Sequence, residues 1–369
     1  MIVESMASRT QRLCSYMVEQ GVDLVLASTP TNMGYLTGYF EGSHERLMVQ
    51  IFRRDGSMEM VLPALSEAQA ARTGIKNLHP WADGVDPYAI VVGLIQSWGL
   101  KSGVIAVDDF LPSFHLLRLQ DELPAALFRP AGPLLSVLRA VKDGEELERL
   151  TDAGRVADEV YNELIPKLRL GMTEVQIEAM IRDAFVAKGT SPTFCIVGIG
   201  AGSAEPHHIN GSRELRYGDL LLLDFGCELN HYQSDITRCV AIGEANERVK
   251  TVYDVVYRSH MAGATAIRPG VTGSQADQAA RTVIEESGYG EFFIHRLGHG
   301  MGIEGHELPN LVSDNQDPLV VGNCFSIEPG IYLPGEFGIR IENCGYCSET
   351  GYVSFNQAPP STIPVIEAK

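Results

Sequence analysis

The stretch Leu220-Leu221-Leu222-Leu223-Asp224-Phe225-Gly226 is an apolar run that ends in a carboxylate. Eleven residues past Asp224, beyond a polar turn at Asn230-His231, Ser234-Asp235-Ile236-Thr237-Arg238 opens a second apolar run that reaches Ile242. Together they predict an antiparallel hairpin, Leu220 to Phe225 against Ser234 to Ile242. In such a pair, positions close in register lie side by side and face the same way. Two carboxylates held together repel, and one takes up a proton unless a cation intervenes. The plainer alternative is a pair of strand-end aspartates that cap turns.

Three further residues extend the pattern. His299 stands in Arg296-Leu297-Gly298-His299-Gly300-Met301-Gly302, where glycines let the backbone approach closely and leave the ring open to a pocket. His295 precedes it and His306 follows in Gly305-His306-Glu307. Glu328, in Phe325-Ser326-Ile327-Glu328-Pro329-Gly330, and Glu342, in Gly338-Ile339-Arg340-Ile341-Glu342-Asn343, each close an apolar stretch better suited to Val or Ile. A glutamate in a buried strand needs a cation or a proton. Arg340 shares a face with Glu342 by strand periodicity and is either its salt-bridge partner or a receptor for a substrate carboxylate. Asp224, Asp235, His299, Glu328 and Glu342 exceed the three protein ligands usual for a catalytic zinc. They suit two hard divalent ions that share bridging carboxylates, a centre that activates water for hydrolysis.

The chain has 369 residues, which predicts two domains. Hydrophobic residues make up 45% and charged residues 21%, as in ordinary globular proteins. The net charge of −18 argues against nucleic acid or an anionic membrane as partner. Seven cysteines lie scattered through apolar segments, as reduced core thiols would, and the Cys344/Cys347 pair has no second pair at a zinc-finger spacing. The N-terminus lacks a basic stretch followed by an apolar core, and no apolar run approaches the ~20 residues that span a bilayer. A cytoplasmic protein is expected.

Along the first part, helix and strand patterns alternate. A helix over Thr10 to Gln20 precedes a strand at Val22 to Ala27. A hairpin at Met48 to Arg53 and Met58 to Leu62 turns at Asp55-Gly56. Helices from about Leu65 and over Pro87 to Trp98 lead to a strand at Val104 to Val107. The character changes at Leu134 to Glu148, placing a boundary near 142: an N-terminal α/β domain at 1–142 and a second domain at 143–369. The second domain opens with a long helix to about Leu168, in which Pro166 is an expected break, and then a helix capped by Thr173 with Gln176. After the first hairpin come helices at about 246–267 and 274–287 and short strands near 292–299, 324–333 and 337–347. Helices grouped apart from antiparallel strands predict an α+β fold. The run Gly198 to Ser203 lacks the lysine of a phosphate-binding loop and no helix is expected after it, so nucleotide binding is set aside. His207, in Glu205-Pro206-His207-His208, reads as a mobile donor over the site.

In this order, the motifs resemble those of the creatinase/prolidase/aminopeptidase P branch of the pita-bread metallopeptidases. Thr31-Asn32-Met33-Gly34-Tyr35-Leu36-Thr37-Gly38 looks like that branch's Asn-x-x-Tyr-Leu-Thr-Gly signature, and Leu138 to Glu146 is similar to its interdomain segment. The resemblance implies a C-terminal pita-bread catalytic domain behind a smaller creatinase-type domain that caps the substrate and makes dimer contacts. It implies two divalent ions, Mn²⁺ first with Co²⁺ or Zn²⁺ as alternatives. Asp224 would bind one metal, Asp235 and Glu342 would bridge, and His299 and Glu328 would complete the other. Glu328 would also relay a proton. His207 and His306 would act in catalysis and substrate binding, and Arg340 in substrate binding.

The activity implied is hydrolysis of the bond before proline by a metal-bridged hydroxide, in a cytoplasmic homodimer acting on small proline peptides. The compact length favours an Xaa-Pro dipeptidase (prolidase) over an Xaa-Pro aminopeptidase. Relatives that have lost the ligands, whether creatine hydrolases or binding modules, call for substitutions that are not present here. Same-fold metalloenzymes acting on an ectoine-type amide or a sulfonium compound stay open, because ligands do not fix the substrate. Departures from the usual pattern include Asn343 after Glu342, Cys344 to Cys347, Cys227, His231 and Glu205.

Overall fold

A computed structural model describes residues 6–42 and 45–367. Residues 1–5, where the absence of a signal peptide was read, lie outside it. The chain divides between Arg139 and Ala140 into two compact units. The expected junction at 142 falls inside the second unit, because Val141 bridges to Asn323 and the Lys142 amide donates to the Gly322 carbonyl at 2.9 Å.

The first unit is an α/β layer structure. Its strands are β1 (Leu24–Ala27), β2 (Val49–Arg53), β3 (Met58–Pro63), β4 (Leu78–Trp81), β5 (Val104–Val107) and β6 (Leu127–Pro130), in sheet order β4-β3-β2-β1-β5-β6. The expected hairpin β2–β3 is antiparallel, while β1–β5, β5–β6 and β3–β4 are parallel. Around the sheet lie α1 (Met6–Glu19), α2 (Pro30–Thr37), α3 (Glu67–Arg72), α4 (Pro87–Ser97), α5 (Ser113–Glu122) and α6 (Gly132–Ala140).

The Asn-x-x-Tyr-Leu-Thr-Gly segment builds this unit from within. Pro30 opens α2, the Thr29 side chain caps it, and Gly38 closes it at φ 76°, a left-handed conformation suited to glycine. Asn32 Nδ2 donates to Asp108 Oδ2 at 2.9 Å, while its Oδ1 accepts from Arg139 at 2.8 Å. Tyr35 Oη donates to the Leu138 carbonyl at 3.0 Å, and Gln50 Nε2 donates to Thr37 Oγ1 at 2.8 Å.

The second unit is built on one large sheet, antiparallel except where the Val365–Ile366 strand joins the Ile236–Ile242 strand in parallel. Its strands are β7 (Ser191–Ile199), β8 (Leu220–Leu229), β9 (Tyr232–Gln233), β10 (Ile236–Ile242), β11 (Gly298–Gly300), β12 (Glu307–Leu311), β13 (Cys324–Ile327), β14 (Gly330–Leu333), β15 (Phe337–Arg340), β16 (Glu342–Ser348), β17 (Gly351–Ser354) and β18 (Val365–Ile366). The main path runs β12-β11-β13-β16-β10-β8-β7, while β14 and β15 form a separate two-stranded hairpin. Asn230 and His231 sit at φ 51° and 69°, the paired left-handed geometry of a tight hairpin turn.

Helices cover both faces, which explains why Leu220 to Leu223 reads as an unbroken apolar run. Leu221, Leu223 and Phe225 pack with Val156, Val160, Ile177 and Ile181 of α7 (Gly144–Leu164) and α8 (Glu174–Ala187). Leu220 and Leu222 pack on the other face with Val252, Val256 and the β14–β15 hairpin, beneath α9 (Glu247–Ala266). Burying one such side chain contributes about 1.5–3 kcal/mol. Helix α10 (Gly273–Glu286) adds Ala276 and Ala280 to a smaller core. The capping box of Thr173 with Gln176 is present.

Several expectations shift. Helix α7 ends at Leu164, and the chain continues in a 3₁₀ turn, Ile165–Lys167, that contains Pro166. The strand expected near 292–299 shrinks to three residues, preceded by a 3₁₀ turn at Gly290–Phe292. Strands β7 and β12 come unannounced. A five-residue 3₁₀ turn, Gly200–Ala204, overlaps the Gly198 to Ser203 run, and β8 is the next element of regular structure. The strands expected at 324–333 and 337–347 are each broken in two, at Glu328-Pro329 and at Ile341. No disulfide joins the seven cysteines, and Cys344 and Cys347 are both buried on β16. Among the described residues no helix is long and apolar enough to cross a membrane.

Asn32→Ala removes the link between a buried carboxylate and a buried guanidinium. It should cost the first unit about 1–3 kcal/mol, read by urea unfolding. A cost near zero would show that Asp108 and Arg139 are held by their other partners.

Candidate metal centre

The hairpin register places the first two carboxylates. Thr237 pairs with Asp224 and Ile236 with Phe225, so Asp235, two residues before Thr237, is the diagonal neighbour of Asp224 on the same face. That face also carries Leu220, Leu222, Cys239 and Ala241. The two glutamates stand where the β14–β15 hairpin leaves the large sheet: Glu328 directly follows β13, and Glu342 opens β16. Ile327 pairs with Asn343, which brings these two exit points together.

His299 comes from β11, which is tight on both sides. A Cβ on Gly298 would lie 1.9 Å from the Ser326 carbonyl oxygen, and one on Gly300 would lie 2.3 Å from the Leu308 carbonyl carbon. The His299 Nδ1 group lies 3.0 Å from the Gly300 carbonyl, which accepts only, so the proton sits on Nδ1. The lone pair of Nε2 is therefore presented to Glu328 Oε1 at 3.4 Å and Asp235 Oδ2 at 3.8 Å. Acceptor faces acceptor, an arrangement that a cation resolves. Donor atoms of Asp235, His299 and Glu342 lie within 4.8 Å of one another. Asp224 Oδ1 and Asp235 Oδ1 are buried without a hydrogen-bond partner. Orphaned carboxylate oxygens around an oriented imidazole fit divalent metal ions.

Burial pushes the Asp235 carboxyl well above the usual range, and the charges of Glu342, Asp224 and Glu328 push it further. Glu342 is raised in the same way, by burial first and then by Glu328 and Asp224, against Thr237 and Arg340. Glu328 is raised by burial, against His295 and Arg340. Burial works against the Arg340 charge, yet Tyr332, Asp224, Glu328 and Glu342 outweigh it and hold the guanidinium charged. Burial lowers His299 to about 4. It lowers His306 to about 4 as well, helped by His299, Arg296 and His207, so both rings are neutral near pH 7.

Arg340 corrects one expectation. Its ion pair is with Asp224, NH2 to Oδ2 at 2.5 Å, while NH1 donates to Tyr332 Oη at 2.7 Å and Nε to Thr237 Oγ1 at 3.1 Å. Arg340 ends β15 and Glu342 opens β16, so strand periodicity does not carry across the break at Ile341. Thr237 links the two residues indirectly, donating to Glu342 Oε2 at 2.7 Å.

One cavity of about 720 Å³ is lined by Asp224, Asp235, His299, Glu328 and Glu342, and also by His207, His306 and Arg340. The rings of His299 and His306 stack at 3.9 Å. The cavity also exposes Phe194, Ile196, His295 and Arg296, to which the sequence reading gave no role. His295 was visible as a third histidine in a short span. Thr237 carried a signal too, lying two residues from Asp235 on the same face. Tyr332 and Ser326, which hold Arg340 and Glu328, carried none.

A model of metallopeptidase family M24 matches residues 148–349, and one of the creatinase/prolidase N-terminal domain matches residues 9–141. The chain is 38% identical over 369 residues to a probable dipeptidase PepE of Mycobacterium tuberculosis, covering 98% of this chain and 97% of the relative. It is 33% identical over 356 residues to an Xaa-Pro dipeptidase of Lactobacillus delbrueckii subsp. lactis, covering 93% and 95%. A solved prolidase from Thermococcus sibiricus superposes with a TM-score of 0.94 at 30% identity, covering 99% of this chain and 100% of that one. The carboxylate-rich cavity thus sits in a peptidase: the chain belongs to metallopeptidase family M24, with a creatinase/prolidase-type domain ahead of the catalytic one.

Proposed function

We propose that this protein hydrolyses Xaa-Pro dipeptides at the bond before proline. The observation that carries the reading is the His299 lone pair turned onto the carboxylates of Asp235 and Glu328 in a cavity open to a small substrate. Similarity to an Xaa-Pro dipeptidase and a prolidase over nearly the whole chain supports the choice of substrate. Asp224, Asp235, His299, Glu328 and Glu342 would hold two divalent ions, with Mn²⁺ favoured by the oxygen-rich donor set and Co²⁺ or Zn²⁺ as alternatives. Such ions, when bound, lower the pKa of water and polarise a carbonyl.

The chain's own residues do the rest. Arg340 anchors Asp224 through one oxygen and leaves the other free. Neutral His306 accepts from Arg296 at Nδ1, at 3.4 Å, which puts its proton on Nε2 as a donor for the scissile carbonyl oxygen as charge develops there. Glu328, raised by burial, is suited to hold a proton and pass it to the departing amine. His207, exposed on its loop and lining the same cavity, would contact the substrate. Phe194 and Ile196 offer apolar wall for the side chains. A cytoplasmic homodimer completes the proposal. The seven unpaired cysteines support a reducing compartment, and the dimer rests on the resemblance alone.

With Mn²⁺ added, the protein should cleave Xaa-Pro dipeptides. Cleavage of Xaa-Pro-Yaa tripeptides alone would make it an aminopeptidase, and cleavage of an ectoine-type amide without any peptide would move it out of the peptidases. Asp235→Asn should lose metal, measured by elemental analysis, together with activity; unchanged values for both would sink the ligand assignment. His306→Ala should slow turnover about 10²–10³-fold with metal content intact, and metal loss would make His306 a ligand. The raised carboxylates hold protons in the metal-free protein, and that stabilisation is lost as pH rises through their raised values. The gain in Tm on adding Mn²⁺ should therefore grow as pH rises above the ordinary carboxylate range, on the order of one pH-dependent proton or more released per site. A flat difference in differential scanning fluorimetry would show that the site holds no exchangeable protons.

A further inference from the structure

The loop that carries His207 is closed at its base by a single carboxylate. Glu174, the first residue of α8, has a side chain only 2% exposed. Its Oε1 accepts from the Ile199 amide at 3.0 Å, just before the loop, and its Oε2 accepts from the Gly211 amide at 2.8 Å, just after it. The same Oε2 lies 3.0 Å from His208 Nε2, while His208 Nδ1 lies 3.2 Å from Glu205 Oε2. A carboxylate only accepts, so both nitrogens of His208 are satisfied only when each carries a proton. Gly202 makes room for this arrangement, since a Cβ there would stand 2.9 Å from His208 Cε1 and 3.3 Å from Glu174 Oε1. Asn210 adds a second stitch, accepting from the Val197 amide at 2.7 Å and donating to the Cys195 carbonyl at 2.9 Å.

We infer that Glu174 and His208 form a clamp that fixes the position of the neighbouring His207 over the cavity, so that both act as positioning residues. The inference rests on the reading of His207 as a substrate contact. Glu174 faces the His208 ring from α8 and Glu205 faces it from the loop itself. Burial works against the charged ring, but the two carboxylates outweigh it and raise His208 above the usual histidine range. A raised value means that the clamp is complete at lower pH and loosens as pH rises through that value. Glu205 is 72% exposed, so its share is the smaller one. A structural role for Glu174 at the helix start is the competing explanation, and it makes a different prediction.

The test uses the full chain loaded with Mn²⁺ and alanyl-proline as substrate. His208→Gln should lower kcat/KM about tenfold to a hundredfold, chiefly through KM. Wild type should show a rise in KM on the alkaline side, and His208→Gln should remove it. In a His207→Ala background the same change should cost almost nothing further, because the clamp acts through His207. Glu174→Gln should behave alike; if it does not fold, His208→Gln decides. Hydrogen exchange of amides 200–210 should quicken in His208→Gln while the rest of α8 keeps its protection. An equal loss from His208→Gln with and without His207 would overturn the inference, as would an unchanged KM. If wild type cleaves no Xaa-Pro peptide, the reading of the site fails, and unchanged exchange at 200–210 would then overturn the clamp on its own.

Discussion

Four carboxylates, Asp224, Asp235, Glu328 and Glu342, line one cavity with the guanidinium of Arg340, and all but Glu328 are buried. Removing an ion from water costs several kcal/mol even after the protein relaxes, and like charges a few ångströms apart add to that. One cation answers one carboxylate, and Arg340 is committed to Asp224. The others must either hold protons or share cations. The directions of their shifts express this: Asp235, Glu328 and Glu342 are all pushed up. A site so unbalanced is poor for stability alone, and divalent cations held there would relieve the imbalance. Much of the remaining second unit can be understood as the frame that keeps these groups together against their repulsion.

That frame depends on register. Along β8 the odd positions Leu221, Leu223 and Phe225 face α7 and α8, while Leu220, Leu222 and Asp224 face the β14–β15 side. A slip of one residue would turn Asp224 into the first core and bring Phe225 to the pocket. Large apolar side chains on both faces make that slip costly, so the hydrophobic core enforces the geometry of the polar site. The glutamates use a different device. By leaving the large sheet at Glu328 and rejoining it at Glu342, the chain places a carboxylate at each exit, where the pleat no longer dictates its direction.

The same contrast explains what could be read in advance. Asp224, Asp235, Glu328 and Glu342 stood out because each is the wrong residue for its apolar surroundings, and that signal is local. The capping box at Thr173 and the turn at Asn230-His231 were local too. Strands β7 and β12 were missed because their pairing is with distant chain and their own alternation is broken by Pro192 and Pro309. Arg340 was matched with Glu342 by periodicity, but the strand breaks between them, and tertiary folding gave it Asp224 instead. The Asn32 to Gly38 signature was legible as a motif, while its work inside the first unit, joining Asp108 to Arg139, required the fold.

The histidines are held with different stiffness, and this bears on how such a site can change substrate. His299 and His306 flank a short connection between β11 and β12, and Glu307 beside them is locked to Lys142 at 3.0 Å with both side chains nearly inaccessible. Breaking a buried pair of this kind costs about 3–5 kcal/mol. Gly302 packs against that pair, with a would-be Cβ 2.8 Å from Glu307 Oε2 and 2.9 Å from Lys142 Cε. This edge of the pocket therefore has little freedom, which suits the proposed roles of His299 and His306, since such groups need placement within tenths of an ångström. His207 stands on a loop held at its base and by Ser203, whose buried hydroxyl accepts from the Gly338 amide at 2.8 Å, while His207 itself lies beside the exposed Ile209 and Glu205. If His207 contacts substrate as proposed, substitutions at the exposed positions of that loop would alter what the cavity accepts without disturbing the buried carboxylates. On the proposed function, reaction chemistry would reside in the sheet and selectivity in the loop, because the exposed positions of the loop can vary without exposing or misplacing a buried charge.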